Sequence, residues 1–118
     1  MTDEGALEVS KIKSLRLLNL SHVKMSAKRL EYLQDLPKLQ VLHLLSCDID
    51  DQMIKTIARL KHLKSLTLDS NWRITYDGLQ PLNSMKIIVS LNVCPRITDV
   101  EKLKTILPDC RCEISGTP

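Results

Sequence analysis

Three histidines and four cysteines are the side chains of this sequence best suited to nucleophilic or metal chemistry. A Cys–His nucleophile needs its two side chains in contact, and a structural zinc site needs two close pairs of ligands. His22, His43 and His62 share no i, i+4 spacing that would put two of them on one helical face. Cys110-Arg111-Cys112 is the one close thiol pair, with Cys47 and Cys94 standing alone. Two thiols without a second pair make an incomplete metal site, and thiols this close in sequence do not bridge comfortably. The three glycines never cluster into a phosphate-cradling loop. The residues therefore predict reduced thiols that serve packing, no catalytic centre, no metal, no cofactor, and a protein that is not an enzyme.

The elements that would hold any site must be built from aliphatic residues. Aromatics are 3% of the 118 residues, namely Trp72, Tyr32 and Tyr76 with no Phe, whereas hydrophobic residues reach 43% and charged residues 26%. That balance predicts a folded chain with a Leu, Ile and Val core, of a length suited to one domain over 1–118. The formal charge of +3, from 17 basic against 14 acidic residues, is modest and predicts no nucleic-acid partner. Met1–Gly5 lacks a basic and apolar leader, and no run of 18 apolar residues occurs. These features predict an intracellular, cytoplasmic protein with no membrane partner.

A period organises the aliphatic residues. Leu15, Leu18, Leu20, Val23 and Met25 recur as Leu39, Leu42, Leu44, Cys47 and Ile49. A third copy runs Leu63, Leu66, Leu68, Asn71 and then Ile74, one place late. A fourth is read from Ile88, Leu91 and Val93, shortened to reach Ile97, so that the copies start at 15, 39, 63 and 88 with spacings of 24, 24 and 25. Between the copies, Leu30/Leu33/Leu36, Ile54/Ile57/Leu60 and Leu79/Leu82/Met85 follow helical spacing, and Asp50-Asp51 and Thr75–Gly78 supply N-capping residues. Residues 1–14 align with the helical half of a repeat, which predicts either a helical N-terminal cap or a piece of a longer solenoid. Val100, Leu103 and Leu107 predict a last helix, and 108–118 a short final strand and a frayed tail.

This pattern resembles the leucine-rich repeat, L-x-x-L-x-L-x-x-N/C-x-L, over essentially the whole chain. Cys47 at the N/C position makes it look most like the cysteine-containing, ribonuclease-inhibitor-like subclass, from which Val23 and Asn71 depart. The resemblance implies an α/β solenoid with a parallel concave sheet and convex helices, and a role as an adaptor or substrate-recognition element, as in F-box-type ubiquitin-ligase receptors. It also permits an enzyme inhibitor. A single repeat cannot bury its own apolar face, so stability must reside between repeats.

Alternation along the strands then assigns the faces. Leu18/Leu20, Leu42/Leu44, Leu66/Leu68 and Leu91/Val93 are expected to point inward. The outward columns are expected to be Leu17, Val41, Ser65 and Ser90; Asn19, His43, Thr67 and Asn92; and Ser21, Leu45, Asp69 and Cys94. Those columns without Cys94, together with Trp72 in the loop after the third strand, are the candidate partner-binding residues. Their mixed apolar and small polar chemistry suits a protein or peptide. Lys13, Lys38, Lys61, His62, Lys64 and Lys86 recur where helices give way to strands, and are read as helix C-terminal capping rather than an anion site. The open edge of the first strand offers a different role, self-association into a homo-oligomer by strand addition.

Overall fold

A computed structural model describes residues 1–114; the predicted tail at 115–118 lies outside the described residues. Five three-residue strands, β1 (Leu17–Asn19), β2 (Val41–His43), β3 (Ser65–Thr67), β4 (Ile88–Ser90) and β5 (Arg111–Glu113), form one parallel sheet in sequence order. Five helices alternate with them: α1 (Asp3–Val9), α2 (Ala27–Tyr32), α3 (Asp51–Ile57), α4 (Tyr76–Leu79) and α5 (Val100–Ile106). Parallel neighbours need a crossover, and here α2, α3, α4 and α5 supply the four of them, while α1 precedes β1.

Local chemistry sets the helix ends. Thr2, Ser26, Asp50, Thr75 and Asp99 each accept the backbone N–H three residues on, so every helix begins at a polar N-cap. The helical stretches predicted through Leu36 and Met85 are shorter than their apolar spacing. Pro81 has no N–H for an α-helical bond, and α4 gives way to a 3-10 turn at Gln80–Leu82. Likewise α2 tightens into a 3-10 turn at Leu33–Asp35 ahead of Pro37. The core is aliphatic, with Leu30, Leu42, Leu44, Ile54, Leu66, Leu68, Leu79 and Leu103 fully buried. Ile12 and Val100 are exposed, because each belongs to an end turn that has, among the described residues, a neighbour on one side only.

The register corrects the fourth repeat. Leu17, Val41, Ser65, Ile88 and Arg111 are aligned across the sheet, giving spacings of 24, 24, 23 and 23 residues rather than a final 25. Backbone bonds repeat in the same frame: Leu20 N–H to His43 O at 2.9 Å, Leu44 to Thr67 at 2.9 Å, Leu68 to Ser90 at 2.8 Å and Leu91 to Glu113 at 2.8 Å. The inward pair of β4 is consequently Val89 and Leu91, not Leu91 and Val93. Val93 instead takes φ 55°, matching His22 (67°), Ser46 (52°) and Ser70 (58°), two residues after the last core Leu of each turn. The first four repeats thus turn through the left-handed region at the same place, and among the described residues Val93 is the one β-branched residue forced into it.

One buried amide ties the central turns together. Asn71 Oδ1 accepts from Cys47 N at 3.0 Å and Ile49 N at 2.9 Å, while Nδ2 donates to Leu44 O at 2.8 Å and Leu68 O at 2.9 Å. Cys47 and Cys94, one repeat before and after, donate Sγ–H to Leu20 O at 3.1 Å and Leu68 O at 3.2 Å. Cys94 is accordingly a buried core residue, not a member of the outward columns.

Asn71→Ala strands two buried N–H groups, and the expected loss is about 2–4 kcal/mol, read from the urea midpoint. Val93→Asn is expected to raise stability by about 1 kcal/mol in the same assay, because Asn tolerates the left-handed region that a β-branched side chain resists. A lower midpoint for this variant contradicts the strain assigned to Val93.

Candidate functional site

The outward side chains of the five strands form three columns. The first is Leu17, Val41, Ser65, Ile88 and Arg111, and the second is Asn19, His43, Thr67, Ser90 and Glu113. Ser90 therefore sits in the second column rather than the first. His22 N–H to Leu45 O, Ser46 N–H to Asp69 O and Ser70 N–H to Asn92 O carry the frame onward, so that Ser21, Leu45, Asp69 and Asn92 make the third column. Asn92 belongs there instead of beside Thr67. All twelve candidate residues are described; eleven line this sheet surface, and Trp72 stands off it in the loop after β3, 58% exposed.

Sequence reasoning missed Ile88, Arg111 and Glu113. The signal was present: Asn71-Trp72-Arg73-Ile74-Thr75 and Cys94-Pro95-Arg96-Ile97-Thr98 are the same loop 23 residues apart. Aligning these loops puts β4 at Ile88, whereas the chance match of Ile88, Leu91 and Val93 to the L-x-x-L-x-L spacing puts it two residues late.

The surface divides by chemistry. The first column is apolar apart from Ser65 and Arg111, with Leu17 55% and Ile88 39% exposed and Val41 half-buried between them. The second and third columns are polar apart from Leu45, and their polar side chains are bonded among themselves. His43 Nδ1 lies 3.1 Å from Thr67 Oγ1. Asp69 Oδ1 accepts Ser90 Oγ–H at 2.6 Å and Asn92 N–H at 2.9 Å, and Asn92 Nδ2 donates to Ser90 Oγ at 3.1 Å. Asn19 Oδ1 accepts the N–H of Ser21 at 3.0 Å, and Ser21 Oγ accepts Leu45 N–H at 3.3 Å. Side chains locked by their neighbours present a fixed pattern of donors and acceptors.

The thiols are free, and burial pushes all four above the ordinary cysteine value, Cys112 to about 11 with a further contribution from Cys110. Such thiols are poor nucleophiles at neutral pH. Among the described residues no group of three or more His, Cys, Asp or Glu side chains is arranged to hold a metal ion. No helix among the described residues is long and apolar enough to cross a membrane.

Residues 59–82 match the family model described as Leucine Rich repeat. The fold is a leucine-rich-repeat solenoid. A solved chain from the TLR13-ssRNA13 complex is similar with a TM-score of 0.66 and 22% identity, over 94% of this chain and 17% of that one. This chain therefore spans less than a fifth of that chain's length. No curated protein matches. Leucine-rich-repeat folds are generally surfaces for interaction.

Cys112 gives the pH dependence a sign. Its thiol is harder to ionise folded than unfolded, so the stability it contributes is complete below the unfolded value and declines as pH rises through about 11. The urea midpoint should fall between pH 9 and 11 more steeply for the wild type than for Cys112→Ala. Parallel curves contradict the burial of this thiol.

Proposed function

We propose that this chain is a non-catalytic protein-recognition module whose concave sheet takes a protein or peptide partner. The observation that carries the reading is the first column, an apolar row of Leu17, Val41 and Ile88 left open to solvent beside a bonded polar field. Adjacent strands lie roughly 4.8 Å apart, so five strands make a row of about 19 Å, long enough for several side chains of a bound segment. An open apolar strip with a polar border is the anatomy of a contact surface. Solenoid curvature gives such a strip a concave shape.

An adaptor or substrate-recognition role is the finer form of this proposal. Cys47 and Cys94, buried at one position of their repeats with Asn71 between them, support assignment to the cysteine-containing subclass. The described turns would then act as one recognition unit. Trp72 extends the surface at its far rim, where an exposed indole is a good anchor.

A second reading has its own observation. β1 is an edge of the sheet, and Leu7, Ile12 and Leu17 beside it are exposed, which favours self-association through that edge. A sedimentation coefficient that rises with concentration supports this reading, and a constant one removes it.

The test of the main reading is cross-linked capture from cells with three baits: wild type, Val41→Asp with Leu45→Asp, and Lys55→Glu on the exposed face of α3. Partners held by wild type and Lys55→Glu should be lost from the double variant, with all three baits melting cooperatively. Undiminished capture by the double variant overturns the choice of surface.

A further inference from the structure

Charge is distributed unevenly around the sheet. Ion pairs occur on or beside helices and in the loops that follow strands: Lys11 with Glu8, Arg29 with Asp3, Arg73 with Asp48 and Lys104 with Glu101. The edge by which the chain enters the strands is different. Arg16, Lys38, Lys61, Lys64, Lys86 and Arg111 are all exposed there, and among the described residues none is within salt-bridge distance of a carboxylate. The parallel register makes this one continuous rim. Arg16 O accepts from Val41 N–H and Lys64 O from Ile88 N–H, so both cations flank the first column directly.

Helix capping is the competing explanation for such a rim, and Lys13 shows what it looks like: its Nζ donates to Ser10 O at 3.0 Å and Asp35 O at 2.9 Å. Lys38, Lys61, Lys64 and Lys86 make no hydrogen bond of that kind among the described residues, which leaves their ammonium groups available. Two hollows open between turns on the same rim. One, of about 220 Å³, is lined by Leu36, Leu39 and Leu60, and the other, of about 340 Å³, by Leu63, Met85 and Ile87, with Lys61 bordering both. Apolar floors beside unpaired cations run alongside the apolar row of the sheet.

We propose that this rim is the charged half of the concave site, and that the partner is an acidic protein segment whose carboxylates alternate with apolar side chains. The inference rests on the concave reading above and adds the chemistry of the partner to it. Carboxylates on such a segment would meet Arg16, Lys64, Lys86 and Arg111, while its apolar side chains lie on Leu17, Val41 and Ile88. Nucleic acid is the less favoured anion. Single strands are held by stacking on aromatic faces, and none of the three aromatics, Tyr32, Trp72 or Tyr76, lies on this rim.

The experiment is selection from a random peptide library on the immobilised full chain. Three targets are used in parallel: wild type, Lys64→Glu with Lys86→Glu, and Val41→Asp with Leu45→Asp. Each is first shown to unfold cooperatively. Wild type should enrich peptides in which Asp or Glu alternates with Leu, Ile or Phe. The charge-reversed target should lose the acidic enrichment and keep the apolar one, and the Val41/Leu45 target the converse. For the best peptide, measured by fluorescence anisotropy, charge reversal should weaken binding about tenfold or more, as should raising salt to about 0.5 M. Enrichment of apolar peptides without acidic residues overturns this inference and leaves the concave reading standing. Acidic peptides without apolar residues, still bound by the Val41/Leu45 variant, overturn the concave reading. An oligouridine strand bound more tightly than the best peptide, or no convergent enrichment at all, overturns both.

Discussion

A strand of three residues points only one side chain inward, and that limit governs the whole molecule. The five inward residues are Leu18, Leu42, Leu66, Val89 and Cys112; the middle three are fully buried and the two at the edges only half-buried. No turn completes its own core, and each depends on the turn before and the turn after. The backbone obeys the same constraint, since the N–H groups of Leu20, Leu44, Leu68 and Leu91 all bond to the next strand. Where the turns bend away from the sheet, the strand ladder ends, and Asn71 takes over with one amide that serves carbonyls and N–H groups of two repeats. A Cys at that position, as at 47 and 94, donates one weak bond to the preceding turn and fills apolar space.

A second column of contacts runs where the helices begin. The first residue of one helix reaches the third residue of the next by chemistry that changes from pair to pair. Asp3 pairs with Arg29 at 2.8 Å, and this guanidinium holds the Asp3 carboxyl below its ordinary value. Asp51 accepts from Thr75 N–H and Oγ–H, and a Cβ on Gly78 would overlap its carboxylate, so only glycine fits there. Tyr76 lies under the Lys102 ammonium, 4.5 Å from the ring centre, while its hydroxyl accepts from the N–H groups of Thr98 and Asp99. Asp51 and Tyr76 thus perform the same task with different atoms: each supports the N-cap region of the following helix. A repeat constrained by position rather than by residue type leaves a faint signal in sequence.

That difference explains what could be read in advance. The α/β solenoid class was legible because the inward leucines are dictated by burial, and burial tolerates little but Leu, Ile and Val. The helix-start column was illegible, since carboxylate, phenol and glycine share no pattern. The fourth strand was misframed for a specific reason. Ile87 stands at the backbone place of Arg16 and Lys64, before its strand, yet it is buried and fills core space that Leu63 fills one turn earlier. One residue fewer separates core from strand there, so apolar spacing points two residues too far along, while the loop motif ending in Arg-Ile-Thr holds the true frame. Ser90, Asn92 and Cys94 changed columns for this reason alone. That Lys13 caps a helix while Lys38, Lys61, Lys64 and Lys86 find no such partner among the described residues was illegible too, because sequence shows where Lys recurs but not which carbonyls it reaches.

On the proposed reading, the two halves of the concave face would contribute differently to recognition. The His43–Thr67 contact and the Asp69–Ser90–Asn92 cluster already hydrogen-bond internally, so a partner gains little by contacting them unless it offers bonds as good as those it displaces. They reject more than they attract, because an apolar segment laid over Asp69 would bury a carboxylate without improving its company. Leu17, Val41 and Ile88 have no internal bonds to lose and release water when covered. A segment is therefore drawn toward the entry edge of the strands, away from Asp69, and arrives beside Arg16, Lys64 and Arg111. Affinity would come from the apolar row, register from the polar cluster that excludes misplacement, and encounter rate from the cationic rim, which acts over about 8 Å at physiological salt.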